Sequence, residues 1–274
     1  MPFRENQGAR IYWDEQGSGE PVLLIMGLGY PSVMWFRTRP VLANHYRTIA
    51  LDNRGVGLSD TPPGPYSIAL MASDAAAVLD ASGCESAHVY GVSMGGMIAQ
   101  EFALQYPKRV RSLVLGCTFA GGPHTVRAEQ EVTDFMTARA KLDADTAVEA
   151  SIPYIYDAHT SRELIDEDCV LRKKWMPKAE AYFAQLQGIR VWEAYSRLDQ
   201  IKVPTLVIHG ESDRLIPIGN GELIANRIAG AKFVRLPRAG HIFSTDQIEQ
   251  SQSALLEFLS AQAARSPRRL TATE

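Results

Sequence analysis

The sequence predicts an α/β fold, a mostly parallel central sheet flanked by helices, with an all-helical segment inserted between two strands. Three observations predict it. Short apolar runs alternate with helical patterns along most of the chain. Several of those runs (VLLI at 22–25, LVLG at 113–116, TLVIH at 205–209) are continuously apolar, as expected for strands buried on both faces of a parallel sheet. The alternation stops near Gly121 and resumes at Val203-Pro204-Thr205-Leu206.

Taken in order, strands are expected at 10–13, 22–25 and 46–51, followed by a helix over 68–81. The β-branched and aromatic run ending at Tyr90 marks a strand over 87–90, and MIAQEFALQY at 97–106 reads as a helix stopped by Pro107. A strand at 112–115 precedes the insert, which is helical in composition, carries charge clusters and has breakers at Pro153 and Pro177. Strands at 205–208 and 232–236 then alternate with helices at 219–228 and 245–264. The organisation is therefore a core of residues 1–121 and 200–264, a helical cap of 122–199, and a polar, flexible tail of 265–274. An insert at this place most simply covers the sheet's carboxyl edge, where open α/β sheets bind ligands.

With 274 residues, 46% of them hydrophobic, the chain suits one large domain or a domain with an insertion. A net charge of −3 and a pI near 6.1 give no field favouring nucleic acid or an anionic membrane. The N-terminus MPFRENQGAR lacks the apolar segment of a secretory signal, and no apolar run approaches the roughly 20 residues that span a bilayer. Cys84, Cys117 and Cys169 are scattered, which reads as reduced thiols rather than a disulfide framework. A cytoplasmic location is the expectation. No His-Glu-x-x-His or close His/Cys spacing is present, so no metal or organic cofactor is expected.

The most informative segment is Gly91-Val92-Ser93-Met94-Gly95, lying between an expected strand and an expected helix. Gly-x-Ser-x-Gly is the spacing of a nucleophile elbow. Glycines two before and two after the serine remove the Cβ atoms that would clash in so sharp a turn. The serine oxygen then stands at a helix N-terminus, where unpaired N–H groups favour developing negative charge.

A serine nucleophile needs a base, and the base needs an orienting acid. Of six histidines, His241 follows the last expected strand directly, with Gly240 allowing the backbone to turn there. His209 also ends a strand, while His45, His88, His124 and His159 fall in elements, loops or the cap. His209-Gly210 leads into the loop bearing the acid candidate, Asp213; Glu211 and Asp246 are weaker alternatives. Ser93, Asp213 and His241 each follow a separate strand. The oxyanion hole should come from the backbone N–H groups of Met94 and Leu28, the latter on the loop Met26-Gly27-Leu28-Gly29.

The order Ser…Asp…His, the elbow, and Asp52-Asn53-Arg54-Gly55-Val56-Gly57-Leu58-Ser59-Asp60 together resemble the α/β-hydrolase superfamily over essentially the whole chain. The stretch from Pro62 to Ile68, like that from Gly91 to Gly96, is similar to that of 3-oxoadipate enol-lactonases and related small hydrolases. That resemblance implies the α/β-hydrolase fold and a serine hydrolase of small carboxylic esters or lactones. Met26-Gly27 departs from the His-Gly of many relatives and from the polar loop of the enol-lactonases. Perhydrolysis, as in cofactor-free haloperoxidases, is a side activity the same triad would permit, and a small-ligand sensor is the rival reading. A dinucleotide site at Gly27-Leu28-Gly29 is disfavoured, because Ser32 stands where the third glycine belongs. Trp175, Met176, Tyr182, Phe183, Trp192 and Tyr195 offer aromatic and apolar surface for a substrate pocket, while Arg172-Lys173-Lys174 and Lys178 read as a solvated helix face. The expected partner is a small ester or lactone, with no nucleic acid and no membrane.

Overall fold

A computed structural model describes residues 2–263 of the chain. Eight strands, β1 (Phe3–Asn6), β2 (Ala9–Gln16), β3 (Pro21–Ile25), β4 (Arg47–Leu51), β5 (Ala87–Val92), β6 (Val110–Gly116), β7 (Thr205–Gly210) and β8 (Lys232–Leu236), form one sheet. Their order is β1-β2-β4-β3-β5-β6-β7-β8. β2 runs antiparallel to both β1 and β4, and all other neighbours are parallel.

The continuous apolar strands bury both faces, and the two faces belong to different cores. Leu23 and Ile25 pack with Val89, Met97 and Phe102, under the Ile68–Ala81 and Met94–Gln105 helices. Val22 and Leu24 face the other way, onto Tyr90, Ile208, Leu255 and Leu259, under the Ile248–Ala263 helix. Successive strand side chains alternate in direction, so only an uninterrupted run fills both layers.

Three elements differ from the sequence expectation. β1 is polar and mostly exposed, carries no apolar run, and joins β2 through Gln7-Gly8, both at positive φ. The helix expected at 97–106 begins at Met94, since Ser93 itself leads straight into it. The helix expected at 245–264 divides into Phe243–Asp246 and Ile248–Ala263, broken at Gln247. The tail expected at 265–274 lies outside the described residues.

β3 has β4 on one side and β5 on the other, so the chain reverses its direction of travel across the sheet there. A crevice opens at such a switch point beyond the carboxyl ends of the strands. The loops after β3 and β5 carry Leu28 and Ser93, and those after β7 and β8 carry Asp213 and His241, at the same edge.

Between β6 and β7 lie four helices, Gln130–Ala138, Ala144–Ile155, Arg162–Lys174 and Ala179–Val191. Asp143 and Ser161 cap two of them, accepting from Thr146 N at 2.9 Å and Leu164 N at 3.4 Å. Pro177 separates two helices as expected, but Pro153 sits inside the last turn of the Ala144–Ile155 helix without ending it. The insert's two ends meet: Gly121 bridges Glu193, and Ala194 N donates to Ala120 O at 2.7 Å. Among the described residues no helix is long and apolar enough to cross a membrane.

The Asp52–Asp60 turn is structural. Asp52 accepts from Ser32 N (2.6 Å) and Leu58 N (2.8 Å), while Arg54 makes two 2.7 Å bonds to Asp74 on the Ile68–Ala81 helix. Both members of that ion pair are buried. Removing one partner leaves the other charged and unpaired, so Asp74→Ala is expected to lower stability by about 3–5 kcal/mol. Equilibrium denaturation measures this, and an unchanged midpoint would show the pair contributes nothing.

Candidate active site

β5 delivers the chain into Ser93 at φ 57°, ψ −124°, a conformation that costs a non-glycine residue about 1–3 kcal/mol. The neighbours hold it there. Ser93 N donates to Gly116 O at 2.8 Å, and Thr118 Oγ1 donates to Ser93 O at 2.8 Å. Glycine is required on both sides of the turn: a Cβ on Gly91 would lie 2.1 Å from Gly95 O, and one on Gly95 would lie 2.0 Å from Ile25 O.

The loop after β7 is stitched to the loop after β8, with Ser212 N donating to Ala239 O at 2.8 Å. This places Asp213 beneath His241. Asp213 Oδ1 accepts from Leu215 N (2.9 Å) and Ile216 N (2.8 Å), and its Oδ2 lies 2.8 Å from His241 Nδ1. A carboxylate can only accept, so Nδ1 carries the proton and Nε2 is left as the basic nitrogen. Burial alone would raise the Asp213 pKa, yet His241 and His209 outweigh it and hold the carboxyl well below its ordinary value.

The structure also sorts the alternative acids. Glu211 is exposed, with its amide bonded to Leu236 O. Asp246 does not meet the imidazole either: it accepts from Gly240 N (2.6 Å) and Thr160 Oγ1 (2.6 Å), bracing the residue before His241. Burial pushes its pKa up to about 6. His209, which sequence reasoning passed over, lies with Nε2 2.7 Å from Ile216 O and 3.4 Å from Asp213 Oδ2. It fixes the acid loop from below and adds to the field on the carboxylate.

The Met26-Gly27-Leu28 loop passes close to the serine. A Cβ on Gly27 would lie 3.1 Å from Ser93 Cβ and 3.5 Å from its Oγ. Asn53 Nδ2 pins this loop by donating to Met26 O at 2.9 Å, and Gly29 N donates to Gln185 Oε1 at 2.9 Å. Among the described residues no acceptor is bonded to the Leu28 amide. Met94 opens its helix, where an amide has no intrahelical acceptor.

A cavity of about 330 Å³ is lined by Ser93, His241 and Leu28. Its walls are mainly apolar, with Trp35, Met97 and Phe119 from the core side and Met136 and Ile155 from the insert. None of the aromatic and apolar residues expected to line a substrate pocket lines this cavity, which corrects that expectation. Tyr182 is buried with its hydroxyl on Met136 O (2.9 Å), and Phe183 packs edge-on against it. Trp192 Nε1 donates to Glu101 Oε2 at 2.8 Å. Trp175 carries the Lys174 ammonium over its ring, Met176 Sδ lies 4.0 Å from Arg139, and Tyr195 stacks on His124. Of these, Tyr182 belongs to the main core, and Phe183, Trp192 and Tyr195 pack against it.

Tyr30, Arg139 and Arg172 line the cavity instead. Arg172 was expected on a solvated face and is 1% exposed. A signal for this was present, because Ile165, Asp168, Cys169 and Arg172 follow the i, i+3, i+4, i+7 stripe of a buried helix face.

Cys117, His209 and Asp213 offer ligand atoms within 4.8 Å of one another. The group does not suit a metal ion. Burial first, and Asp213 next, push the Cys117 thiol far above its ordinary pKa, which keeps it protonated, and Asp213 is already committed to four donors and neighbours.

Residues 20–153 match the family model described as the alpha/beta hydrolase fold. The chain is 31% identical to the "Putative carbamate hydrolase RutD" of Azorhizobium caulinodans, over 94% of this chain and 98% of that protein. Among solved structures, a thermophilic esterase from Thermogutta terrifontis superposes with a TM-score of 0.81 at 27% identity, covering 95% of this chain and 98% of the esterase. The enol-lactonase of Burkholderia xenovorans LB400 is alike in fold, with a TM-score of 0.85 at 24% identity over 94% of this chain and all 100% of its own.

Proposed function

The chain belongs to the α/β-hydrolase family, and on that premise we propose that it is a serine hydrolase of small carboxylic esters or lactones. The observation that carries this reading is the 2.8 Å contact between Asp213 Oδ2 and His241 Nδ1, in a cavity that His241 shares with a backbone-strained Ser93.

In this reading His241 Nε2 takes the Ser93 Oγ proton as Oγ attacks the substrate carbonyl. The negative charge that develops on the carbonyl oxygen faces the Leu28 and Met94 N–H groups. Collapse of the tetrahedral intermediate breaks the bond to the leaving alkoxide, which receives the proton from His241. Water then attacks the acyl-enzyme, giving its proton to His241, and the acid departs as Ser93 recovers its hydrogen. Asp213 holds the imidazole in one tautomer throughout and stabilises the imidazolium. Carbamates present a related carbonyl, and the name of the Azorhizobium relative makes them part of the substrate question.

The test pairs labelling with turnover. A fluorophosphonate should modify one residue per chain, Ser93, and block hydrolysis of p-nitrophenyl butyrate. A panel of short esters, γ- and δ-lactones and carbamates then ranks the carbonyl classes. Labelling elsewhere, or none, would overturn the assignment of Ser93. Stoichiometric labelling with negligible turnover across the panel would point to a ligand sensor.

A further inference from the structure

Two buried guanidinium groups stand in the wall of this apolar cavity without a carboxylate partner among the described residues; a third, Arg190, is exposed and donates to Thr137 Oγ1 at 3.1 Å. Arg139, just beyond the Gln130–Ala138 helix, is 4% exposed, and Arg172, in the last turn of the Arg162–Lys174 helix, is 1% exposed. Arg172 Nε donates to the Tyr30 hydroxyl at 2.9 Å and its Nη2 to Ser151 Oγ at 2.5 Å, while Nη1 has no partner among the described residues. Arg139 Nη2 donates to the same Tyr30 hydroxyl at 3.1 Å, and its Nε has no partner among the described residues. Among the described residues neither arginine forms an ion pair.

The carboxylates nearby are committed elsewhere. Asp168, one turn before Arg172 and also in the cavity wall, is bonded to Arg37, the Tyr156 hydroxyl and Thr245 Oγ1. Glu149 is paired with Arg162 at 2.7 Å. What the arginines do have is aromatic faces. Arg139 lies 5.7 Å from the Tyr30 ring centroid and 5.4 Å from that of Tyr182, and Arg172 lies 5.7 Å from Tyr30 and 5.9 Å from Tyr156.

Two buried like charges without a counter-ion are expensive, and cation–π contacts offset part of that cost. An anion entering the cavity would offset what remains of that cost. The Tyr30 phenol responds to the same field: burial would raise its pKa, but Arg139 and Arg172 overcome this and bring it down to about 8. Tyr30 is two residues past Leu28, so the cationic pair is tied to the loop beside Ser93.

We propose that Arg139 and Arg172 recognise a carboxylate carried by the substrate, so that the preferred ester or lactone bears a second, ionised carboxyl group. This rests on the hydrolase reading above, with Tyr30 as a positioning residue that aims both guanidinium groups. Unpartnered Nη1 of Arg172 and Nε of Arg139 are the donors such a carboxylate would take up, in bonds stronger than neutral ones.

The experiment has two readouts on the wild-type protein. The first is kcat/KM for the mono-p-nitrophenyl ester of glutaric acid against the same compound with its free carboxyl methylated. One or two charge-assisted hydrogen bonds predict a preference for the anion of about 10- to 100-fold, expressed in KM. The second is calorimetric binding of glutarate against its dimethyl ester, which needs no turnover. Arg139→Gln should bring both preferences towards unity, Arg172→Lys should retain part of them, and Tyr30→Phe should weaken them with the charges still present.

A wild-type preference for the methylated ester, or an anion preference that survives Arg139→Gln, would overturn the proposal. The two readings fail separately. Glutarate binding without turnover of any ester leaves the anion site and removes the hydrolase. Turnover of both esters alike, with no glutarate binding, removes the anion site and leaves the hydrolase, and the arginines are then held by their aromatic neighbours alone. If Arg172→Lys does not fold, the wild-type comparison and Arg139→Gln still decide.

Discussion

Replacing Ser93 with alanine is expected to lower kcat for p-nitrophenyl butyrate by on the order of 10⁶, the cost of losing the nucleophile of a triad acting as a unit. Almost nothing else should change, because the side chain's neighbours are held by bonds to the Ser93 backbone, from Gly116 and Thr118. The companion variant Ser93→Gly separates chemistry from strain. It should be as inactive as alanine, yet more stable by roughly 1 kcal/mol, since glycine tolerates φ 57° and alanine does not. Steady-state kinetics and denaturant midpoints on the three proteins check both halves. Residual turnover within tenfold of wild type in the alanine variant would move the nucleophile elsewhere.

Asp213→Asn should reduce kcat by about 10⁴ with little change in fold. An amide at 213 can turn its oxygen towards the Leu215 and Ile216 N–H groups and present an NH₂ to His241. That NH₂ demands an acceptor, so Nδ1 gives up its proton and Nε2 becomes protonated, the tautomer that cannot act as a base. Glu211→Ala, at an exposed carboxylate two residues earlier on the same strand-exit loop, should leave kcat nearly unchanged. Comparable losses in both variants would assign the effect to loop disorder rather than to the imidazole.

The core was legible in the sequence because its physics is repetitive. Uninterrupted runs such as Val22–Leu23–Leu24–Ile25 have to be strands covered on both faces, and Gly91 and Gly95 have to be glycines because backbone oxygens lie about where their Cβ atoms would stand. The proposed nucleophile, base and acid, Ser93, His241 and Asp213, each lie just past a strand, and chain order was what nominated them. The cavity wall was less legible. In an insert of amphipathic helices, aromatic residues such as Tyr182 and Trp192 are spent on packing, and only the three-dimensional arrangement shows which face looks inward. Arg172 hid within a basic tripeptide whose other members behave as expected: Lys173 is paired with Asp145, and Lys174 is exposed. His209 was visible but weighed only as an alternative to His241, when it lies against Asp213.

The bridge between Gly121 and Glu193 carries a consequence for how such chains diverge. Because the two ends of the insert are fastened to each other where they leave β6 and approach β7, the sheet meets the intervening helices as a loop already closed. Changing the length of a closed loop costs only a logarithm of that length, about 0.6 kcal/mol per doubling. The helices can therefore be lengthened, shortened or exchanged whole without disturbing the strand ends that hold Ser93, Asp213 and His241. Inheritance can conserve the reaction while rewriting its clientele, one transplanted module at a time.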